Sequence, residues 1–216
     1  MKVNFLIDGF NLYHSTVSAS YDLGLKGKGT KWLNIRSLCE SNIFQFGEEA
    51  EITNIYYFSA LATHLIKEDP SKIVRHKNYI KCLENTGLVT TLGQFKEKTR
   101  KYWISNNLSF NVTTHEEKKT DVAISVKIFE ILYRNECDIL AIMSGDTDIL
   151  PAVNKASELF DTKSILFVFP YKRFNKELQN KYKQSFKINK KQYVKHQFSD
   201  QIILPSGEII HKPDSW

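Results

Sequence analysis

Cysteine is scarce in this chain: Cys39, Cys82 and Cys137 are far apart and odd in number, and none belongs to a Cys-x-x-Cys pair. That spacing argues against a disulfide framework or a zinc site and leaves three small buried hydrophobes suited to a reducing compartment. Long apolar runs are absent too. No stretch approaches the roughly 20 residues of a membrane span, and the run Val3–Ile7 is broken at once by Asp8, so there is no signal-peptide core. The expectation is a cytosolic (cytoplasmic) protein with no membrane partner. Glycine-rich phosphate loops fail as well. Gly24-Leu25-Lys26-Gly27-Lys28-Gly29-Thr30-Lys31 lacks the Lys-Ser/Thr that must follow the second glycine, and no Gly-x-Gly-x-x-Gly turn follows the first strand, which speaks against a nucleotide cofactor. The six histidines show no metal-ligand spacing, and His14, one helical turn beyond Asn11, reads as a partly buried neutral imidazole. Internal repeats and low-complexity linkers are missing.

What is present is an ordinary globular make-up. At 216 residues with 42% hydrophobic and 25% charged content, one domain burying roughly 70% of its unfolded surface is expected. Runs rich in Ile, Val, Phe and Tyr at Asn4–Ile7, Ile52–Ala60, Leu88–Leu92, Ile139–Ser144 and Ser164–Phe169 predict buried strands. Helical patterns alternate with them: Pro70–Glu84 on Ile73, Val74, Ile80 and Leu83; Val122–Tyr133 on Val122, Val126, Phe129 and Leu132; Ile149–Phe160 on Leu150, Val153, Ala156 and Leu159. This predicts an α/β fold, a mainly parallel sheet with helices on both faces. Gln94–Glu117 breaks the alternation and predicts a β-hairpin or a flap inserted in a domain spanning 1–197. Its Tyr102 and Trp103 would either stack on bases or pack the hairpin onto the sheet. Residues 198–216 read as a terminal hairpin about Pro205-Ser206-Gly207, packed on the same domain.

Charge is uneven along the chain. Tyr171–Gln197 holds nine Lys/Arg against Glu177 alone, a local +8 in a chain of net +6, so the remainder carries −2. This stretch, with Lys187, Lys190, Lys191 and Lys195, has the footprint of a polyanion-binding stripe or else of a solvated face.

Acids gather elsewhere. In open parallel α/β sheets ligands bind beyond the carboxyl ends of the strands, above all where strand order reverses. Asp8 follows the first strand in Ile7-Asp8-Gly9-Phe10-Asn11, and Asp146 and Asp148 follow the fourth in Ser144-Gly145-Asp146-Thr147-Asp148. If those strands are neighbours, three carboxylates and the Asn11 amide share one crevice. Asp121 enters from the start of a helix, with Glu117 one turn earlier if that helix extends back. Taken singly, Asp8-Gly9 is a turn signal and Asp146 or Asp148 a helix cap. Together they repel, by about 3 kcal/mol per ionised pair at ~5 Å and an effective dielectric of ~20. Such a cluster needs a cation or raised pKa values. Oxygen donors without His or Cys favour Mg²⁺ or Mn²⁺ over zinc.

Four segments, Ile7-Asp8-Gly9-Phe10-Asn11, Tyr57-Phe58-Ser59-Ala60, Glu117-Lys118-Lys119-Thr120-Asp121-Val122-Ala123 and Ser144-Gly145-Asp146-Thr147-Asp148, resemble in order and spacing the motifs of the NYN family. That family includes the LabA-like proteins and belongs to the PIN-like superfamily of metal-dependent nucleases. The resemblance covers roughly Met1–Phe169. It implies a three-layer α/β/α PIN-like fold, acidic metal ligands at Asp8, Asp121, Asp146 and Asp148 with Asn11 beside them, and RNA rather than DNA as substrate. One departure is Lys119-Thr120, where the family often has Gly-Val before the helix Asp, which implies a rearranged helix entry. The terminal Ile210-His211-Lys212-Pro213 with Trp216 is similar to the tail of some members and carries no evident chemistry. A phosphatase of the haloacid-dehalogenase type would want Asp-x-Asp where Phe10 takes the third position.

The reading that follows is a metal-dependent ribonuclease, cutting internally, in which water attacks phosphorus in line. Asn11, Ser144 and Thr147 would orient water or phosphate oxygens, while Lys118, Lys119 and the basic stripe hold the strand. The alternative is an RNA-binding regulatory module that keeps the shell and turns over little. Clustered negative charge weighs against it, because a pure polyanion binder gains nothing from acids in its groove. A protein partner or a homo-oligomer is left open.

Overall fold

The computed structural model of the chain describes residues 1–66, 69–105 and 108–216. Seven strands form one sheet: β1 (Lys2–Asp8), β2 (Glu51–Leu61), β3 (Val89–Ser105), β4 (Leu108–Lys118), β5 (Ile139–Met143), β6 (Ser164–Phe169) and the short β7 (Phe186–Lys187). Their order is β4-β3-β2-β1-β5-β6-β7, and every pairing is parallel except that of β3 with β4. The chain builds outward from β1 to β4, then returns to lay β5 on the other side of β1. Strand order therefore reverses between β1 and β5, where Ile7 pairs with Met143 and the loops beyond their carboxyl ends part into a crevice.

Helices α1 (Gly9–Asp22), α2 (Ile35–Glu40), α3 (Pro70–Asn85), α4 (Thr120–Tyr133), α5 (Leu150–Leu159), α6 (Lys176–Lys181) and α7 (Lys190–Lys195) cover the sheet. Side chains alternate across a strand, so β1 feeds two cores. Val3, Phe5 and Ile7 pack with Leu12, Leu38, Leu83 and Tyr193, while Leu6 joins Ile124, Ile128, Val153 and Phe167. This is the three-layer α/β/α arrangement.

The apolar face expected for α4 is corrected. Ile124, Ile128, Ile131 and Leu132 are buried, whereas Val122 is 67% and Val126 62% exposed. The helix is apolar nearly all round, so spacing alone could not choose between two stripes on opposite sides; burying the larger isoleucines removes more apolar surface from water. Val74 of α3 and Leu159 of α5 are likewise exposed, and Tyr79 and Cys82 complete the inner face of α3.

The third strand runs far past Leu92. Of the two alternatives for Gln94–Glu117, the structure adopts the hairpin, with Phe95 opposite Glu117 and Trp103 opposite Ser109; residues 106 and 107 lie outside the described residues. Trp103 does not pack onto the sheet. It is 62% exposed, with the Lys101 ammonium 4.4 Å from its ring centre, and Tyr102 stacks on Phe110. After α7, β8 (Gln201–Ile203) and β9 (Ile209–His211) pair antiparallel. Ile210 enters the core, the Trp32 indole donates to the Ser199 carbonyl, and Lys81 pairs with Glu208. All three cysteines are free and buried. Among the described residues no helix is long and apolar enough to cross a membrane.

Candidate active site

Asp8 ends β1 and caps α1. Its Oδ1 accepts the Asn11 N–H at 3.0 Å, and its Oδ2 accepts the Ser144 hydroxyl at 2.9 Å. Ser144 in turn accepts the Asp146 N–H at 3.0 Å, and Asp146 Oδ1 accepts the Asp148 N–H at 3.0 Å. Asn11 Oδ1 accepts the Gly145 N–H at 3.1 Å. A relay of side chain and backbone thus ties the end of β1 to the loop after β5. Close approach is built into it by glycine. A Cβ on Gly9 would stand 2.5 Å from the Phe58 carbonyl oxygen, and one on Gly145 would stand 1.7 Å from that of Arg173.

Burial raises the pKa of Asp8 most, and nearby Asp146 adds to this; the Asn11 N–H and the Ser144 hydroxyl act against them. Asp121 sits in the first turn of α4, half-buried, with neither hydrogen bond nor ion pair among the described residues. Its pKa is pushed up to about 6 by burial first, then by the charges of Asp146, Asp8, Glu117 and Asp148. Asp121 therefore feels all of the other acids at once. None of Asp8, Asp146 or Asp148 has an ion pair among the described residues either.

Glu117 is not one helical turn before Asp121. It lies in β4, and its carboxylate takes the N–H and hydroxyl of Thr120, capping α4 from the strand. Lys119 stands between them at φ 82°, in the left-handed region. A glycine would take that conformation without strain, so lysine in place of the family's frequent glycine holds the helix entry at a cost of about 1 kcal/mol.

Other positions differ from expectation. Ser144 is fully buried, and its hydroxyl donates to Asp8 and accepts the Asp146 N–H inside the site. Lys118 is held by Glu116, which also gathers Lys98 and Arg100. Thr147 lies between Asp146 and Asp148 and its carbonyl accepts the Leu150 N–H; neither acid caps α5, whose N-cap Ile149 has no side-chain bond. His14 is more exposed than the imidazole expected, and burial of part of its ring and then Arg173 lower its pKa against the pull of Asp8. Lys187 lies 3.6 Å from the ring centre of Phe174. Lys190 donates to the Asp22 carbonyl, and Lys191 and Lys195 line a depression with Leu23 and Leu25. These last three stand at the far end of α1, 14 residues long, about 20 Å from the acids. The basic stretch is therefore not one track. Arg173 is its member at the crevice, with its carbonyl against Gly145, its charge near His14 and its buried Nε lacking a partner. Sequence reasoning counts Arg173 as part of the stripe and has no signal for its place, which depends on the path of the chain after β6.

The model of the family described as the NYN domain matches residues 2–189. The chain belongs to the NYN domain family. Such domains fall within the PIN-like nucleases, which generally use divalent metals and act on RNA. A crystal structure of a protein of unknown function from Vibrio parahaemolyticus is similar to this NYN domain, with a TM-score of 0.55 and 16% identity over 87% of this chain and 93% of that one. At that identity the likeness speaks for the fold. No curated protein shows significant similarity.

Whether the acids of this NYN domain suit a metal is a question of donors and charge. Among the described residues no group of three His, Cys, Asp or Glu side chains stands in a metal-holding arrangement, so a shell closes only if these carboxylates turn toward a common point. The donor set fits a hard divalent cation: oxygen alone, no competing ion pair among the described residues, and an Asp121 driven toward protonation by burial and then by its neighbours.

A stability prediction follows from Asp121. Its folded pKa lies above the unfolded value, so the stability it contributes is full below about pH 4 and is lost as pH rises through about 6. In EDTA, Asp121→Asn should gain on the order of 1 kcal/mol at neutral pH, allowing for solvent screening, and flatten the profile between those values. Thermal denaturation across that pH range checks it; a wild-type slope in the variant would mean that the acids do not crowd Asp121.

Proposed function

We propose that this NYN domain hydrolyses RNA phosphodiester bonds with Mg²⁺ or Mn²⁺ held by Asp8, Asp121, Asp146 and Asp148. The observation that carries the reading is Asp121, a half-buried carboxylate without a partner among the described residues and close enough to Asp146, Asp8, Glu117 and Asp148 to feel their charges. When bound, such an ion supplies activation of water and offsets charge on the phosphate. The rest falls to the chain. Ser144 and the Asn11 N–H hold Asp8 in one orientation, and the Asn11 side chain holds the Gly145 N–H so that Asp146 stays at the crevice. Arg173, unpaired among the described residues, would offer its guanidinium to a phosphate oxygen. The test is end-labelled single-stranded RNA and DNA incubated with Mg²⁺, Mn²⁺ or EDTA. RNA cleavage with either metal and none in EDTA is expected; undiminished cleavage in EDTA overturns the metal role, and no cleavage under any metal favours an RNA-binding module.

The lysines at the far end of α1 would meet phosphates without touching the chemistry. Lys191 and Lys195 have no ion pair among the described residues. Replacing Lys190, Lys191 and Lys195 with Ala should flatten log K against log salt by ~0.7 for each single-strand phosphate that these lysines neutralise. Cleavage at saturating RNA should barely change. An unchanged slope, measured in EDTA, places these lysines on a solvated face.

A further inference from the structure

Beside the acid crevice lies a second cavity of about 460 Å³, within the range of small-molecule and cofactor sites. Gly9 and Phe10 form part of its wall, so Asp8 and Asn11 bracket it in the chain. Its sides are aromatic. Phe10 meets Phe95 edge-on at 5.5 Å, Trp216 meets Tyr79 edge-on at 5.4 Å, and Tyr13 is 48% exposed. Lys31, Lys72 and Arg75 also line it, and no Asp or Glu does among the described residues. Arg75 pairs with Asp69, but Lys31 is half-buried with no ion pair or hydrogen bond among the described residues. Ser59 and His76, 3.4 Å apart on the wall, offer polar atoms to the edge of a ligand.

Aromatic walls with unpaired cations suit a planar group attached to an anion. Stacking on rings beside cations is how single-stranded nucleic acid is held, and on the nuclease reading the scissile phosphate would sit at the adjoining acids. Resting on the nuclease reading of those acids, we propose that this cavity takes the unstacked base of the nucleotide next to the cleaved phosphate, with Lys31 facing that nucleotide's backbone. A base enters such a recess only after leaving its pair, so the preferred substrate is single-stranded.

The test uses single-stranded RNA carrying one abasic position at a time, bound in EDTA to the wild type, Tyr13→Ala and Lys31→Gln, with thermal denaturation as the folding control. Each variant should bind roughly tenfold more weakly. One abasic position should weaken the wild type to a similar degree and Tyr13→Ala no further, and with metal that position should adjoin the cut. A flat abasic scan, or both variants binding as the wild type does, overturns the proposal. So does a free mononucleotide that saturates the cavity without displacing the strand. If no metal supports cleavage yet the single sensitive position persists, the nuclease reading falls and the base site stands; if RNA is cut and the scan is flat, the base site alone falls.

Discussion

Asp8→Asn should reduce RNA cleavage to background at saturating metal while leaving the protein folded. The two halves of that expectation rest on different roles of one side chain. As the cap of α1, Asp8 accepts the Asn11 N–H, and asparagine caps a helix about as well as aspartate. As a proposed ligand it supplies charge, which asparagine lacks. Asp146→Asn should behave alike. Ser144→Ala removes no ligand and frees the Asp8 carboxylate to turn, so it should lose about 10- to 100-fold in rate, the usual effect of an orienting partner, with RNA affinity in EDTA unchanged. Single-turnover cleavage under a Mn²⁺ titration, with melting curves as controls, reads all three. Wild-type cleavage by Asp8→Asn would place the chemistry elsewhere.

Gly145→Ala should be the most damaging of the glycine-to-alanine changes in this chain. Its Cβ would stand 1.7 Å from the Arg173 carbonyl oxygen, a backbone atom that cannot rotate away. Either the loop carrying Asp146 or the segment carrying Arg173 must move, at about 3 kcal/mol or more, a fall of roughly 10 °C in Tm for a chain of this size. Cleavage should fail with it, since Gly145 also gives its N–H to Asn11. Gly207→Ala is the control. Gly207 has φ 83° with open space around it, so alanine there should cost only about 1 kcal/mol of backbone strain and leave activity intact. A Gly145→Ala protein as stable and active as the control would show that Arg173 does not close on this loop.

Much of the architecture is legible along the chain, because the residues concerned report local physics. Asn4–Ile7 and Ile139–Ser144 are, apart from Asn4 and Ser144, apolar without alternation, as strands covered on both faces must be, and the structure places them side by side at the centre of the sheet. The acid motifs stand directly after those strands, so sequence position already puts Asp8 and Asp146 at one end of the sheet. The helix entry is read locally as well: Lys119, where the family often has glycine, stands at φ 82°, a left-handed conformation that a side chain takes only under strain.

What the sequence by itself determined, then, is which segments become strands and which carboxylates follow them, since hydrophobic period and turn chemistry act over a few residues. Only the tertiary structure decided the rest. The inward stripe of α4, the Arg173 carbonyl against Gly145, the capping of α4 from β4 by Glu117, and the cavity joining Gly9 to Trp216 each bring together groups whose spacing along the chain carries no trace of contact. Their positions follow from the strand order β2-β1-β5 and from packing against both faces of the sheet. Close packing admits one arrangement of side chains at a time, and no local pattern encodes which.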